Sequence, residues 1–171
     1  GTLVVNGAIS NSWVIVHTNA TLAGNGIISG FVQIAEGATL SPGTSVGRLN
    51  IYSLSLYPGS TTVMEVNGST NDLISGLTHL DLAGTLVISN LGPAFVAGKN
   101  IQLFSATHYL TNFGGMFTNI VPATPGPGLV WDTSNLRTNG VLKVAPLPAG
   151  PSMGSTGLVG SNFIISGSGG G

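Results

Sequence analysis

Short runs of alternating apolar and polar residues recur along the chain. They are rich in Val, Ile and Leu and are separated by Gly and Asn, a pattern that predicts short β-strands. The runs lie at 2–5, 13–16, 31–34, 49–51, 54–56, 62–66, 80–82, 85–88, 101–104 and 141–144. No segment sustains a helical period, and the strong helix formers Glu and Lys are scarce. The pattern therefore predicts an all-β protein.

A Thr-Leu pair repeats along the first part of the chain. It begins at Thr2, Thr21 and Thr39, which are 19 and then 18 residues apart, with weaker echoes at Thr61 and Thr85. A period near 20 residues with strand-and-turn content is typical of a β-solenoid in which each repeat is one coil. We therefore predict a parallel β-helix or solenoid, with Leu, Ile and Val inside and Ser, Thr and Asn facing water.

Four Asn-Gly pairs mark places where the chain can turn, because both residue types adopt positive φ easily. They lie at 6–7, 25–26, 67–68 and 139–140. In a solenoid these pairs would form corners, whereas in a hairpin protein they would form type I′ turns. An antiparallel β-sandwich is therefore the alternative fold.

Two Pro-rich segments divide the rest of the chain. Residues 122–128 predict a loop, and residues 146–151 separate a tail from the repeat. We predict a solenoid domain at 1–145 and a Pro/Gly-rich linker with a C-terminal β-arm at 146–171. The tail has one β-prone run without a partner in the repeat, so we expect it to cover its own solenoid or to add to a neighbouring sheet edge. The candidate assembly residues of this arm are Leu158, Val159, Phe163, Ile164 and Ile165.

Charge and cysteine content exclude several classes of function. Charged residues make up only 5% of the chain and the net charge is −1, so there is no basic patch for nucleic acid. Near-zero charge also does little to keep molecules apart. No apolar run reaches the ~18–20 residues of a transmembrane segment. With no cysteine, disulfides and thiolate zinc sites are excluded.

The start of the chain and its sequons carry weaker signals. The sequence starts with Gly and has no signal peptide pattern, so we interpret it as a mature product or an excised fragment. Asn19 and Asn67 begin N-glycosylation patterns, which we interpret as chance matches in a chain this rich in Asn, Ser and Thr.

The inventory of chemically active side chains is small. Asp81 and His79 could serve a hydrolase, but no nucleophile is identified beside them. A metal site formed by His17, His79 and His108 would require three distant coils to converge. A glycosidase needs two carboxylates across a cleft. The available carboxylates are scattered at Glu36, Glu65, Asp72, Asp81 and Asp132. We therefore expect no enzyme activity, no metal site and no cofactor.

Aromatic residues offer one further possibility, a platform for sugars. The candidates are Trp13, Trp131, Tyr52, Tyr57 and Tyr109. We favour the interpretation that these residues fill the core or cap its ends, because large aromatic side chains are usually buried.

Several simple motifs occur in a fairly specific order. They occupy 1–7, 20–26, 37–45, 59–67, 71–74, 97–99, 103–106 and 127–136. Over residues 1–145 the chain resembles the autotransporter-associated β-strand repeat proteins, especially the large surface proteins of Verrucomicrobia-like bacteria. The resemblance implies a right-handed β-helix carried outside the cell as a passenger or surface repeat, with no catalytic residues to carry over. Proteins of this type are usually much longer.

These observations together predict a structural subunit of an extracellular bacterial filament, sheath or surface layer. It would assemble by solenoid stacking, by β-strand addition, or by both, with other copies of the chain as partners. In this hypothesis Phe163 and Ile165 point into the neighbour. The alternatives are a passive passenger spacer or adhesin, and a carbohydrate-binding or polysaccharide-cleaving β-helix with cell-surface glycans as partners.

Overall fold

The computed structural model describes residues 1–150 in full and, beyond them, the backbone of 152–159 and 162–168. The described residues form eighteen strands and one short helix, α1. The elements in chain order are β1 (Thr2–Val4), β2 (Ala8–Ile9), β3 (Val14–Val16), β4 (Thr21–Gly24), β5 (Ile27–Ile34), β6 (Thr39–Pro42), β7 (Arg48–Leu56), β8 (Thr61–Asn67), β9 (Thr70–Asn71), β10 (Leu73–Asp81), β11 (Thr85–Asn90), β12 (Asn100–Gln102), β13 (Phe104–Leu110), β14 (Asn119–Val121), β15 (Leu129–Asp132), α1 (Leu136–Asn139), β16 (Val141–Pro146), β17 (Ser152–Val159) and β18 (Asn162–Ser168).

Two long parallel sheets form the body of the protein. The first sheet has the order β1-β4-β6-β8-β11-β14, and the second has β13-β10-β7-β5, with β2 and β3 both paired to β5. The chain passes from one sheet to the other and back, so each coil contributes strands to both sheets. We number the coils one to five by the first-sheet strand that opens each, from β1 to β11. The predicted parallel β-solenoid is confirmed, and the antiparallel sandwich is wrong for this part of the chain.

The repeat seen in the sequence is the register of the first sheet. Thr2 pairs with Thr21, which pairs with Thr39, so equivalent residues of successive coils lie side by side. The next position along forms an inward column of Leu3, Leu22, Leu40, Thr62, Leu86 and Ile120. Its four middle members are fully buried. This column and its counterpart on the second sheet form the core between the two sheets.

Side-chain amides link successive coils at one corner of the solenoid. Asn6 Oδ1 accepts a hydrogen bond of 3.2 Å from the backbone N–H of Asn25, and Asn25 Oδ1 accepts one of 3.2 Å from the backbone N–H of Arg48. The Asn-Gly pairs at 6–7 and 25–26 lie between strands of the two sheets, as corners should. The pair at 67–68 lies at the turn between β8 and β9.

The last coil is covered by a small antiparallel sheet and helix α1. This sheet has the order β12-β16-β15, so that β12, which lies between β11 and β13 in coil five, pairs with the later strand β16. The apolar residues of this sheet join the main core. Leu136 of α1 and Leu142 of β16 are fully buried. The helix ends at Gly140, which has the left-handed φ of 74° that favours glycine at this position. We call β12, β15, β16 and α1 the C-terminal cap.

The tail contains two strands rather than the single unpartnered run expected from the sequence. β17 and β18 pair with each other in antiparallel fashion, with Leu158 opposite Phe163 in the register. The side chains of the predicted arm residues Leu158, Val159, Phe163, Ile164 and Ile165 lie outside the described part of the structure. Within the described residues, no helix has the length and apolar character needed to cross a membrane.

One residue of the inward column breaks its apolar character. Thr62 is fully buried, and its hydroxyl has no hydrogen-bond partner among the described residues. A buried hydroxyl without a partner is destabilising compared with an apolar group of the same shape. Thr62 is therefore a position at which the core is less stable than it could be.

We predict that Thr62→Val raises the free energy of unfolding by about 1 kcal/mol, because the orphaned hydroxyl is replaced by a methyl group. Chemical denaturation followed by circular dichroism measures this change. The matched control is Thr61→Val on the half-buried outward side, which should change the free energy by less than about 0.5 kcal/mol. A valine variant no more stable than the wild type would contradict the prediction.

Candidate functional site

The first coil ends in an open apolar mouth. Leu3 holds the same inward position as the fully buried Leu22, yet 48% of its surface is exposed. Val14 and Val16 line the same depression, which has a volume of about 340 Å³. Leu3 is the first member of the inward column. Its exposure shows that, in the described chain, no further layer covers the core at this end.

The strands around this mouth are also sheet edges. β1 is the terminal strand of the first sheet, and β2 and β3 are terminal in the second. Their peptide groups on the side away from β4 and β5 have no strand partner in the part of the chain that the structure describes. Such edges accept an additional strand, which satisfies their backbone hydrogen bonds. The mouth thus combines apolar surface with unpaired backbone.

The opposite end of the solenoid is closed by the C-terminal cap. Phe104 of β13 is fully buried, and its ring lies 6.1 Å from that of Phe117, centroid to centroid. The backbone N–H of Leu103 donates to the carbonyl of Gly140 at 2.9 Å, which ties the last coil to the cap. The two ends therefore differ: the cap covers the last coil, whereas no layer of the described chain covers the first.

Two of the three histidines come together on the second sheet. The rings of His79 and His108 are neighbours in the β10–β13 register and stack with centroids 5.3 Å apart. They line a surface groove of about 600 Å³ together with Arg137. His17 lies after β3 in the first coil, three coils away from His79. In the described residues, no group of three or more His, Cys, Asp or Glu side chains is positioned to hold a metal ion.

Asp81, the other residue considered for hydrolysis, is not placed to act on a substrate. It is fully buried, and neither carboxylate oxygen has a hydrogen-bond partner among the described residues. In the register it lies between Ser55 of β7 and Leu110 of β13. A general acid or base must reach the proton that it transfers, and this carboxyl group has no access to solvent.

Asp72 is a buried carboxyl group that holds two coils together. Its Oδ1 accepts a 2.7 Å hydrogen bond from the backbone N–H of Gly47, and its Oδ2 accepts one of 2.7 Å from that of Glu65. Burial raises the pKa of Asp72 from 3.8 to about 6, although the two hydrogen bonds act in the opposite direction. Both oxygens are committed to the backbone, so the group is a corner clamp rather than a catalytic acid.

Three of the five aromatic residues considered as a sugar platform pack against the protein itself. Trp131 lies in the cap, where its ring packs edge-on against Phe95 and its Nε1 donates to the carbonyl of Pro122 at 2.8 Å. Tyr57 contacts the Phe113 ring at 4.5 Å between centroids. Tyr109 is half-buried, and its pKa is raised by burial. These three residues are partly buried, and Tyr109 also lines the groove beside His79 and His108.

The other two, Trp13 and Tyr52, are exposed and flank a third ring that the sequence reasoning missed. Trp13 lies 5.6 Å from Phe31, and Phe31 lies 6.0 Å from Tyr52, measured between ring centroids. We call these three residues the outer stripe. Phe31 follows Trp13 by 18 residues, the period of the repeat, and this spacing could have revealed the pair.

Comparison with known proteins does not add a relative to this picture: no family model matches the chain, and no curated protein matches its sequence.

The pKa of Asp72 leads to a prediction about pH and stability. Because its folded-state pKa lies above the ordinary value of 3.8, the native state binds more protons than the unfolded state between about pH 4 and 6. This carboxyl group therefore stabilises the fold below about pH 4, and its contribution is lost as the pH rises through 6. Asp72→Asn should remove this downward slope from the free energy of unfolding.

Glu36→Gln is the control, because Glu36 is exposed and should leave the slope as in the wild type. Carbon NMR of the Asp72 carboxyl group in the unmodified protein gives a second readout that does not depend on the variant folding. A titration midpoint at or below 3.8 would contradict the assignment of Asp72 as a desolvated clamp.

Proposed function

We propose that this chain is a structural module of an extracellular bacterial filament, sheath or surface layer, joined to other copies through its open first coil. The observation that carries the proposal is the exposure of Leu3 at the edge of the first sheet, in a core column whose four middle members are fully buried. An added strand would bury this side chain and pair the free backbone of β1. Burying one such side chain contributes about 1.5–3 kcal/mol.

The occupant that we propose for this mouth is the tail of a second copy. The tail follows the Pro-rich linker at 146–151 and already has the extended backbone of β17 and β18. These two strands pair only with each other within the described sheets, so their outer edges can join a third strand. The apolar residues Leu158, Val159, Phe163, Ile164 and Ile165 supply side chains for the mouth in this proposal.

Strand addition is favoured over stacking of whole solenoids because the two ends do not match. End-to-end stacking needs an open core at both ends, whereas the cap buries Phe104 and Leu142 at the last coil. The surface charge does not oppose association, since the net charge is only −1. The extracellular location in this proposal is supported by the resemblance of residues 1–145 to surface repeat proteins.

A passive spacer within a longer surface protein is the second candidate function. It is favoured by the register of Thr2 with Thr21, which shows that the first coil already follows the repeat. A further coil of the same type, placed before Thr2, would cover the mouth as coil one covers coil two. In that case the mouth would be covered by the preceding coil of the same chain and would not be a contact between two chains.

We predict that the 171-residue chain forms filaments that sediment rapidly and are visible by negative-stain electron microscopy. Leu3→Lys should abolish them, because a charged group would then be buried at the junction. Removal of residues 152–171 should also abolish them while leaving the circular dichroism spectrum of the solenoid. The control is Leu91→Lys, an equally exposed leucine away from the mouth, which should still assemble.

The pattern of outcomes separates the candidates. Polymers from the truncated chain that are lost in Leu3→Lys would show that the mouth stacks directly and that the tail proposal is wrong. A 171-residue chain that stays monomeric at all concentrations would overturn the filament proposal and favour the spacer. Filaments that persist in Leu3→Lys would show that the mouth is not the junction.

A further inference from the structure

The outer stripe lies on the outward face of the second sheet and follows the solenoid axis. Trp13 immediately precedes Val14, and Val14 pairs with Val32, which follows Phe31. Trp13 and Phe31 therefore occupy equivalent positions in coils one and two. Phe31 pairs in turn with Ser53 of coil three, next to Tyr52. Three consecutive coils, about 4.8 Å apart, thus each place one ring on the same face.

The stripe is open to solvent along its length. Trp13 is 70% exposed, and Phe31 and Tyr52 are each 45% exposed. Single exposed apolar residues are common on proteins, but a contiguous row of large rings is a feature of binding surfaces. The exposure is imposed by the fold, because Phe31 occupies an outward position of β5, and Trp13 directly precedes Val14 of β3, which packs against the core.

A shallow groove of about 360 Å³ runs beside the rings. Its walls are formed by the three rings together with Asn11, Ser29 and Gly30. A side chain at Gly30 would collide with the backbone carbonyl of Ser12, so glycine is required there for coil one to approach coil two. The amide and hydroxyl groups beside the rings are neutral donors and acceptors. Within the described part of the chain, no charged side chain lines this groove.

We propose that the outer stripe binds an uncharged polysaccharide chain, with sugar rings laid on Trp13, Phe31 and Tyr52. The face of an aromatic ring carries partial negative charge and attracts the partly positive C–H groups on the face of a pyranose ring. The hydroxyl groups at the sugar's rim can then bond to Asn11 and Ser29. Regularly spaced rings along one axis suit a linear chain better than a single sugar.

The absence of charge in the groove distinguishes a neutral glycan from an acidic one. An acidic sugar would have to give up hydration of its carboxylate without meeting a cation, which is unfavourable. Lys and Arg number only four in the whole chain, and none lines this groove. The chemistry therefore selects neutral hexose or N-acetylhexosamine polymers as the ligand class.

A protein partner fits the stripe less well. From the exposed fractions, the three rings offer roughly 350 Å² of apolar surface, whereas a stable protein interface needs about 800 Å² on each side. The row is long and one ring wide, the shape of an extended chain. Glycan binding does not depend on the proposed assembly, because the stripe and the open mouth involve different faces of coil one.

The test is binding of the full chain to a panel of soluble neutral polysaccharides, including a β-glucan, a mannan and a xylan, with alginate as the acidic comparison. We expect at least one neutral polymer to bind, and Trp13→Ala to weaken that binding about tenfold through loss of one stacking contact. Titration calorimetry measures the affinity. Val96→Ala is the matched control, an exposed apolar residue outside the stripe that should bind like the wild type.

Tryptophan fluorescence provides a second measurement, because a purely structural role of Trp13 would not make its emission change when glycan is added. The chain has two tryptophans, and only Trp13 lies in the stripe, so bound glycan should shift its emission to shorter wavelength. Trp13→Phe keeps a ring and should keep most of the affinity while losing the shift. Unfolding midpoints of both variants should match the wild type, because the Trp13 side chain is mostly exposed.

Three results would each overturn the proposal. One is a lack of binding to every neutral polymer of the panel at millimolar sugar concentration. Another is a Trp13→Ala variant that binds as tightly as the wild type. The third is a change in sedimentation of the stripe variants without any glycan binding, which would identify the stripe as a contact between copies of the chain.

Discussion

The fold depends on one constraint: the parallel strands of each coil obtain their hydrogen bonds from the coils above and below. The partners of these strands lie in other coils, since β1 pairs with β4 and β4 with β6 along the first sheet. Buried peptide groups must be paired, so the coils have to stack in register. Inward side chains then stand in columns, and the Asp72 clamp and the asparagine corner reinforce the same alignment with short polar links.

The same alignment also organises the surface. A residue type that recurs with the coil period forms a row on the outside as surely as it forms a column inside. The outer stripe and the His79–His108 stack are both rows of this kind, separated by Ser53 in the register. Binding surfaces on a solenoid are thus linear by construction, which is why an extended ligand suits this one.

The solenoid could be predicted because the spacing of Thr2, Thr21 and Thr39 in the sequence equals the length of one coil. Tyr52 in the outer stripe and the histidine pair were harder to predict, because the register shifts between Ile28 and Phe31 in the β5–β7 pairing and between Ile74 and Leu77 in the β10–β13 pairing. Each shift breaks the simple counting of residues from one coil to the next. The cap was not predicted because its strands are antiparallel and follow no repeat. The burial of Asp72 and Asp81 has no sequence signal at all, since it depends on how neighbouring coils cover them.

The unlike ends of the solenoid give its unfolding a direction. In a stack of repeats, stability is approximately a sum of terms for each coil and for each junction between coils. Coil one shares a junction on one side only in the described chain, whereas coil five is held by the cap and by a contact from Lys99 Nζ to the carbonyl of Gly68. We therefore expect local unfolding to begin at β1 and to proceed coil by coil towards the capped end. Whatever covers the open mouth raises the free energy of that first step and so stabilises every coil behind it.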